Sequence, residues 1–440
     1  MSRVRLPLRQ VRPFSVTLDV VEEQRGLPPA MDQELPDMEP LESFEGQRAL
    51  PDEDTVPADR MFNTFIDGVQ RTVLAAMLQT AKGISVPLYV SRIGAGVLFR
   101  RERQVVMGPY RFWNVLVAPF SVLGEDPEAI RDALREQGHT AYREQEAVEA
   151  PPRLLEATFG GTGWLVADTS RTGLHGTGRL FTAWDNERQA RSRAMGRIAH
   201  LRQILELAVL LGLRANSPEA PDWLRTAIFP VEEMPDAFPE PVVLVDGPLL
   251  FTVRRRKTIQ QWIRRQGFRA PEAPERWLLT RAVGLVKSHR LAPKDRFTVL
   301  TLQAGHRTRA YDFAREVDLH GRALREDMEA DDEDVYPGRH VTCYIRLYRH
   351  PGSALDGLVR LDLVRWALDP TGKEKGSERR PLSPEEERTL DLWGASLYRE
   401  RRPRLDPRQP YPLALLEKAL HARLPSSALL ARLVAFNGEP

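Results

Sequence analysis

One cysteine in 440 residues, Cys343, leaves no internal disulfide and no cysteine-built zinc site, which fits a reducing cytosol. Charge of one sign is not in excess either. Lys plus Arg (63) nearly balances Asp plus Glu (61), so any basic surface for nucleic acid has to be local. No apolar run approaches the length of a membrane span, and the N-terminus has no signal-peptide core, so a cytoplasmic protein with no membrane contact is expected. Internal repeats are absent, apart from one Asp-Gly pattern that occurs twice. What is present is a globular composition, 42% hydrophobic and 28% charged, on a chain long enough for one elaborated domain or two.

The second Asp-Gly pattern organises the rest. Pro241-Val242-Val243-Leu244-Val245-Asp246-Gly247-Pro248 is a short unbroken apolar run into an acid, the pattern of a strand buried on both faces. A two-residue hairpin at Asp246-Gly247 would put Pro248 into the return strand, where it cannot donate to a ladder. The acid therefore reads as one held where a buried strand ends. Phe65-Ile66-Asp67-Gly68 repeats the pattern, and for Asp67 a hairpin turn and a catalytic acid both remain open.

Residues 1–60, rich in proline and acids, read as an N-terminal arm, and 61–440 as the main domain. Strands are expected over 61–77, 86–101 and 104–120, joined by short connections into an antiparallel meander. A helix should span 126–146, with Asp126 as N-cap and Pro127 in the first turn. A long helix should cover 186–213 and a shorter one 258–267; a strand should end at Lys287. Strands are expected again over 341–347 and 357–366, with helices over 384–400 and 411–436. The order gives an α/β or α+β sheet with mixed strand directions.

Several residues could carry chemistry. Glu206 is the only charge in Ile204–Leu213, a helical stretch apolar on every side and therefore buried. It needs either a cation or the counter-charge of Arg202 one turn earlier. Three carboxylates meeting at one point would suit Mg²⁺ or Mn²⁺, which take hard oxygen ligands. Lys287 at the polar end of its apolar run is either a surface lysine or a phosphate-binding group. Tyr411 and His421 read as structural by residue type alone, and His289 as a solvated loop histidine. Basic clusters at 254–257, 264–265 and 399–404 could line a DNA groove with Trp113 and Trp262. Gly160-Gly161-Thr162-Gly163 lacks the Lys-Ser/Thr of a phosphate-binding loop.

Taken together, FIDGVQR around Asp67, VVLVDGPLL around Asp246, AVGLVKSHR around Lys287, the CYIRLY strand and a late YPL…H segment resemble the NurA nuclease family. The likeness runs from about residue 60 to about 425. It implies an RNase H-like α/β fold, a mixed sheet flanked by helices, here with an added arm and insertions. It also implies a Mn²⁺- (or Mg²⁺-) dependent DNA nuclease with 5′ to 3′ exonuclease and single-strand endonuclease activity. Its substrates would be single-stranded DNA and duplex ends, and its partners a second copy of itself and a HerA-type hexameric translocase ATPase. By position, the resemblance puts the metal acids on Asp67, Glu206 and Asp246, the lysine on Lys287, and the late Tyr and His on Tyr411 and His421. The Pro/Glu-rich connection between Glu206 and Asp246 is long for the family, so Asp168, after Trp164-Leu165-Val166-Ala167, is the reserve for Glu206. Two other readings stand beside the nuclease: a non-catalytic DNA clamp for a motor ATPase, and an RNA-cleaving RNase H-like enzyme.

Overall fold

The computed structural model describes residues 4–8, 11–14, 20–21, 38–80, 85–101, 104–156, 163–170, 187–217, 220–225, 241–249, 253–271, 274–287, 296–313, 340–349, 355–369, 380–401 and 410–436. Its centre is the expected meander: β1 (Thr64–Thr80), β2 (Ser85–Arg101) and β3 (Gln104–Ala118). These strands pair antiparallel over almost their whole length, and only two residues join β2 to β3. Such short connections leave no room for a crossover, so the directions must alternate.

Parallel strands extend both edges. β4 (Trp164–Asp168) lies beside β3, β5 (Val243–Asp246) beside β1, and β6 (Ala282–Val286) beside β5. β7 (His340–Arg346) and β8 (Leu358–Val364) then add antiparallel, β8 next to β6. The order is β7-β8-β6-β5-β1-β2-β3-β4. Its middle five strands, β3-β2-β1-β5-β6, have only β2 reversed. With a helix between the third and fourth of them, this is the arrangement of an RNase H-like sheet. The chain is therefore a mixed α/β fold, a large sheet flanked by helices.

Of the helices, α1 (Pro127–Glu136), α2 (Glu187–Ala215), α3 (Val253–Arg265), α4 (Pro384–Arg399) and α5 (Tyr411–His421) matter most here. Asp126 caps α1 by accepting from the Glu128 N–H, with Pro127 in the first turn as expected. The helix stops sooner than expected, however. Gly138 takes φ +83° just past its end, and the chain then makes a short strand (Ala141–Arg143) and a second helix (Glu144–Glu149). The helix expected over 411–436 is also cut short at His421. After Pro425 come a short helix, Ser427–Ala431, and a strand, Val434–Phe436.

The two faces of the sheet are covered by different helices. A Cβ on Gly68 of β1 would strike Glu206 and Arg202 of α2, whereas one on Gly96 of β2 would meet Leu420 of α5 at 3.0 Å. Gly68 pairs with Ala95, the neighbour of Gly96, and side chains alternate along a strand. So α2 and α5 sit on opposite faces. Several described segments of residues 1–60 pair into the sheets: Val11–Phe14 with β1, and Val4–Leu6 with Val434–Phe436. The acidic run at 325–334, the Gly160–Thr162 stretch and His289 lie outside the described residues.

Candidate functional site

Asp67 is the fourth residue of β1, inside the paired strand and not in a turn, so the hairpin reading of Asp67-Gly68 does not hold. It is 3% exposed. One carboxylate oxygen, Oδ1, accepts from the Gly68 N–H at 2.7 Å. The other, Oδ2, is buried without a hydrogen-bond partner. A buried lone acceptor costs about 1–3 kcal/mol, more if it is charged, so something has to compensate it.

Asp246 ends β5. The β5–β1 register pairs Val245 with Ile66, and one step further sets Asp246 beside Asp67 on the same side of the sheet. Gly247 then takes φ +124°, and the chain leaves the sheet without a hairpin. Its carbonyl and the Leu249 N–H press against Gly284 of β6, where a Cβ would lie 2.6–2.7 Å from them. That close approach requires glycine at 284 and fixes where the Asp246 carboxylate emerges. Lys287, just past the end of β6, donates from Nζ to Asp246 Oδ2 at 2.5 Å. Three of the expected residues therefore converge: Asp67, Asp246 and Lys287.

Glu206 approaches from the other face. Its carboxylate rests over Gly68, whose missing side chain leaves the space, and Arg202 Nε stands 3.5 Å from its Oε1. The counter-charge proposed from the i, i+4 spacing is thus in place. A small cavity of about 80 Å³ lies between α2 and the end of β5, bordered by Glu206, Arg202, Asp246 and Gly247.

The electrostatics follow from this crowding. Burial, then the charges of Asp246, Glu206 and Glu417, hold the Asp67 carboxyl well above the usual carboxylate range, while Lys287 acts against them. For Lys287, burial alone would lower the ammonium, but Asp246, Asp67 and Glu417 outweigh it and raise it. Among the described residues, no three His, Cys, Asp or Glu side chains stand in a metal-holding arrangement. The donor chemistry nevertheless suits a hard divalent ion: oxygen ligands only, one of them the buried unpartnered Oδ2 of Asp67.

The remaining expected residues are spread out. Tyr411 opens α5 with its N–H on the Glu400 carbonyl, and nothing among the described contacts brings its phenol to Asp67. His421 closes the same helix and has Nε2 3.7 Å from Glu417 Oε1. Asp168 ends β4, three strands from β1. It accepts from Ser121 and Ser170, as a turn-forming acid does. Trp113 is fully buried and donates Nε1–H to the Leu154 carbonyl at 2.8 Å, so it belongs to the core and not to a DNA groove. Trp262 is buried too, edge-on to Trp223. Arg256, in the first basic cluster, is tied to Glu275. Arg264 does face a cavity, of about 520 Å³, together with Trp223, Gln260 and Arg269. Glu417 was missed. Its one sequence signal was that it is the only acid on the edge of the apolar stripe Leu413, Leu416, Leu420.

No family model matches the chain, and no curated protein matches it. Among solved structures, the crystal structure of the NurA nuclease from Sulfolobus solfataricus aligns over 85% of this chain and 82% of its own. The TM-score is 0.35 and the identity 10%, a distant likeness too loose to bear on the site.

Proposed function

We propose that this chain is a divalent-metal-dependent deoxyribonuclease. The observation that carries the reading is the buried Asp67 Oδ2, left without a donor among the described residues and facing a second carboxylate and a lysine at a strand end. Fixed acids placed together at a cost to stability are what a cation site requires. Asp67 and Asp246 would hold the ion, which when bound would activate a water and polarise a phosphodiester. Lys287 would release Asp246 to that ion and turn its ammonium to the scissile phosphate. His421 and Tyr411 lie on the helix that covers this face and would contact the departing strand.

The motif resemblance extends the reading to 5′ to 3′ exonuclease and single-strand endonuclease activity, Mn²⁺ as the working ion, a homodimer, and a HerA-type hexameric ATPase as partner. The test is cleavage of labelled single- and double-stranded DNA with Mn²⁺, Mg²⁺ or EDTA, with and without such an ATPase. Intact DNA under every condition would sink the proposal. The clamp reading is supported by a specific observation: Asp246 is already tied to Lys287, and Glu206 to Arg202. Mn²⁺ titration separates the two, since a clamp would bind no Mn²⁺ through Asp67.

A further inference from the structure

The helix that crosses the Asp67 face of the sheet carries one acid where it passes Asp67. At its start, the Tyr411 N–H donates to the Glu400 carbonyl, and the Glu400 carboxylate holds Arg100, whose guanidinium lies 5.2 Å over the Phe65 ring. Past its end, Arg71 of β1 donates to the Pro425 carbonyl. Between these two ties α5 crosses the face of β1 that carries Asp67. Leu420, in the last turn of α5, lies 3.0 Å from where a Cβ on Gly96 would be, and Gly96 is the cross-strand partner of Asp67.

One turn before Leu420 on the same helix come Leu416 and Glu417. Leu413, Leu416 and Leu420 are fully buried against the sheet, and Glu417 stands at i+4 from the first and i−3 from the last. Its side chain is 29% exposed, so it borders the site and remains reachable from solvent. Its charge acts on Asp67 and on Lys287 alike. Glu206 acts more strongly on Asp67, but across the strand through Gly68, and it is not among the main influences on Lys287. Acids alone would not make a site. The independent sign of a ligand is the buried, unpartnered Asp67 Oδ2.

We infer that Glu417 is a further carboxylate of the cation site, closing it from the α5 side, opposite Glu206, around the divalent ion that Asp67 and Asp246 hold. This rests on the nuclease reading. Glu417 lies beside His421 and Asp246 beside Lys287, so meeting at one ion takes side-chain rotations. His421 would act as a positioning residue for Glu417.

The test uses the full chain and Mn²⁺ alone as probe. Glu417→Gln should weaken Mn²⁺ binding at least ten-fold in a titration and slow DNA cleavage, while leaving the metal-free melting temperature unchanged or higher. Glu417→Cys then asks whether the side chain touches the ion. Cys343 is buried, so a sulfur-to-cadmium charge-transfer band on adding Cd²⁺ would come from position 417 and would support direct ligation. If Glu417→Gln unfolds the protein, Glu417→Asp replaces it, with the same loss of Mn²⁺ affinity expected from the shortened reach. Unchanged Mn²⁺ affinity in an actively cleaving variant, or no cadmium band, overturns the inference and leaves the nuclease reading standing. Wild-type protein that neither binds Mn²⁺ nor cleaves DNA overturns both.

Discussion

Two groups of buried acids in this chain are built in opposite ways. On one side of the molecule, Glu42 and Asp391 share Arg307, with Glu42 accepting from both Nη atoms at 2.6 and 2.8 Å, and Arg48 joins them. Nearby, Glu386 is gripped by Arg365 and Arg380 and completes a capping box with Ser383 at the start of α4. Every carboxylate there has a guanidinium. At the Asp67 site, the charges of Asp246, Glu206 and Glu417 act on Asp67 against that of Lys287, Arg202 stands by Glu206, and the buried Asp67 Oδ2 has no hydrogen-bond partner. The first group is satisfied at the expense of desolvation alone, which is how structural ion pairs survive burial. The second leaves Asp67 with a raised carboxyl and one unpartnered oxygen, a cost that the proposed cation would offset.

Substitution should separate the two groups cleanly. Asp67→Asn removes the charge and keeps the shape. Cleavage should fall by about 10³-fold or more, while the metal-free protein gains about 0.5–2 kcal/mol and melts higher. Differential scanning calorimetry in EDTA beside a DNA cleavage assay checks both, and a lower melting temperature would place Asp67 among the structural acids. Arg307→Met should do the reverse. Stranding Glu42 and Asp391 should cost ~3–5 kcal/mol in urea denaturation, with cleavage per folded molecule little changed.

The two groups also respond to pH with opposite sign. For Glu386, burial pushes upward, but Arg365, Arg380 and the Ser383 N–H outweigh it and bring the carboxyl from 4.5 down to about 2. A depressed acid stabilises the fold above its unfolded value and loses that contribution as the pH falls from 4.5 towards about 2. Asp67 is raised, mainly by burial and Asp246. Its contribution is full below the unfolded value, ~3.9, and is lost as the pH climbs to the raised one. Melting temperatures across pH in EDTA should therefore show an acid-side loss that Glu386→Gln removes and a loss as the pH rises above the ordinary carboxylate range that Asp67→Asn removes. Saturating Mn²⁺ should cancel only the second.

Much of this frame could be read from the residues, because local signals decided it. The apolar run before Asp246, the Pro248 that forbids a hairpin and the Asp126-Pro127 cap act over a few positions and need no tertiary partner. The site was only half legible. Asp67, Asp246 and Lys287 end up together because adjacent strands run in register, which a motif can reflect. Glu417 looks like any solvated acid at the border of an amphipathic helix until the helix is laid across β1. Trp113 shows the converse. An aromatic near basic clusters suggests a groove, but its ring is buried and its indole N–H is spent on a backbone carbonyl. The side of the sheet a helix covers is set by packing, and short-range patterns do not record it.

The smallest expected effect is also the one that best tests how the two faces divide the work. A methyl at position 68 would lie 2.1 Å from Glu206 Oε1 and 2.9 Å from the Arg202 side chain. Both are ends or stems of flexible chains, so Gly68→Ala should swing them aside and not break the strand, at a cost of roughly 1 kcal/mol. Asp67 points to the other face and should not move. If the cation is held mainly from the α5 side, Gly68→Ala should leave Mn²⁺ affinity within about three-fold of wild type, a shift worth under ~1 kcal/mol. A loss as deep as that of Asp67→Asn would mean that Glu206, reaching through the gap at Gly68, is indispensable to the ion and that the site is built across the strand.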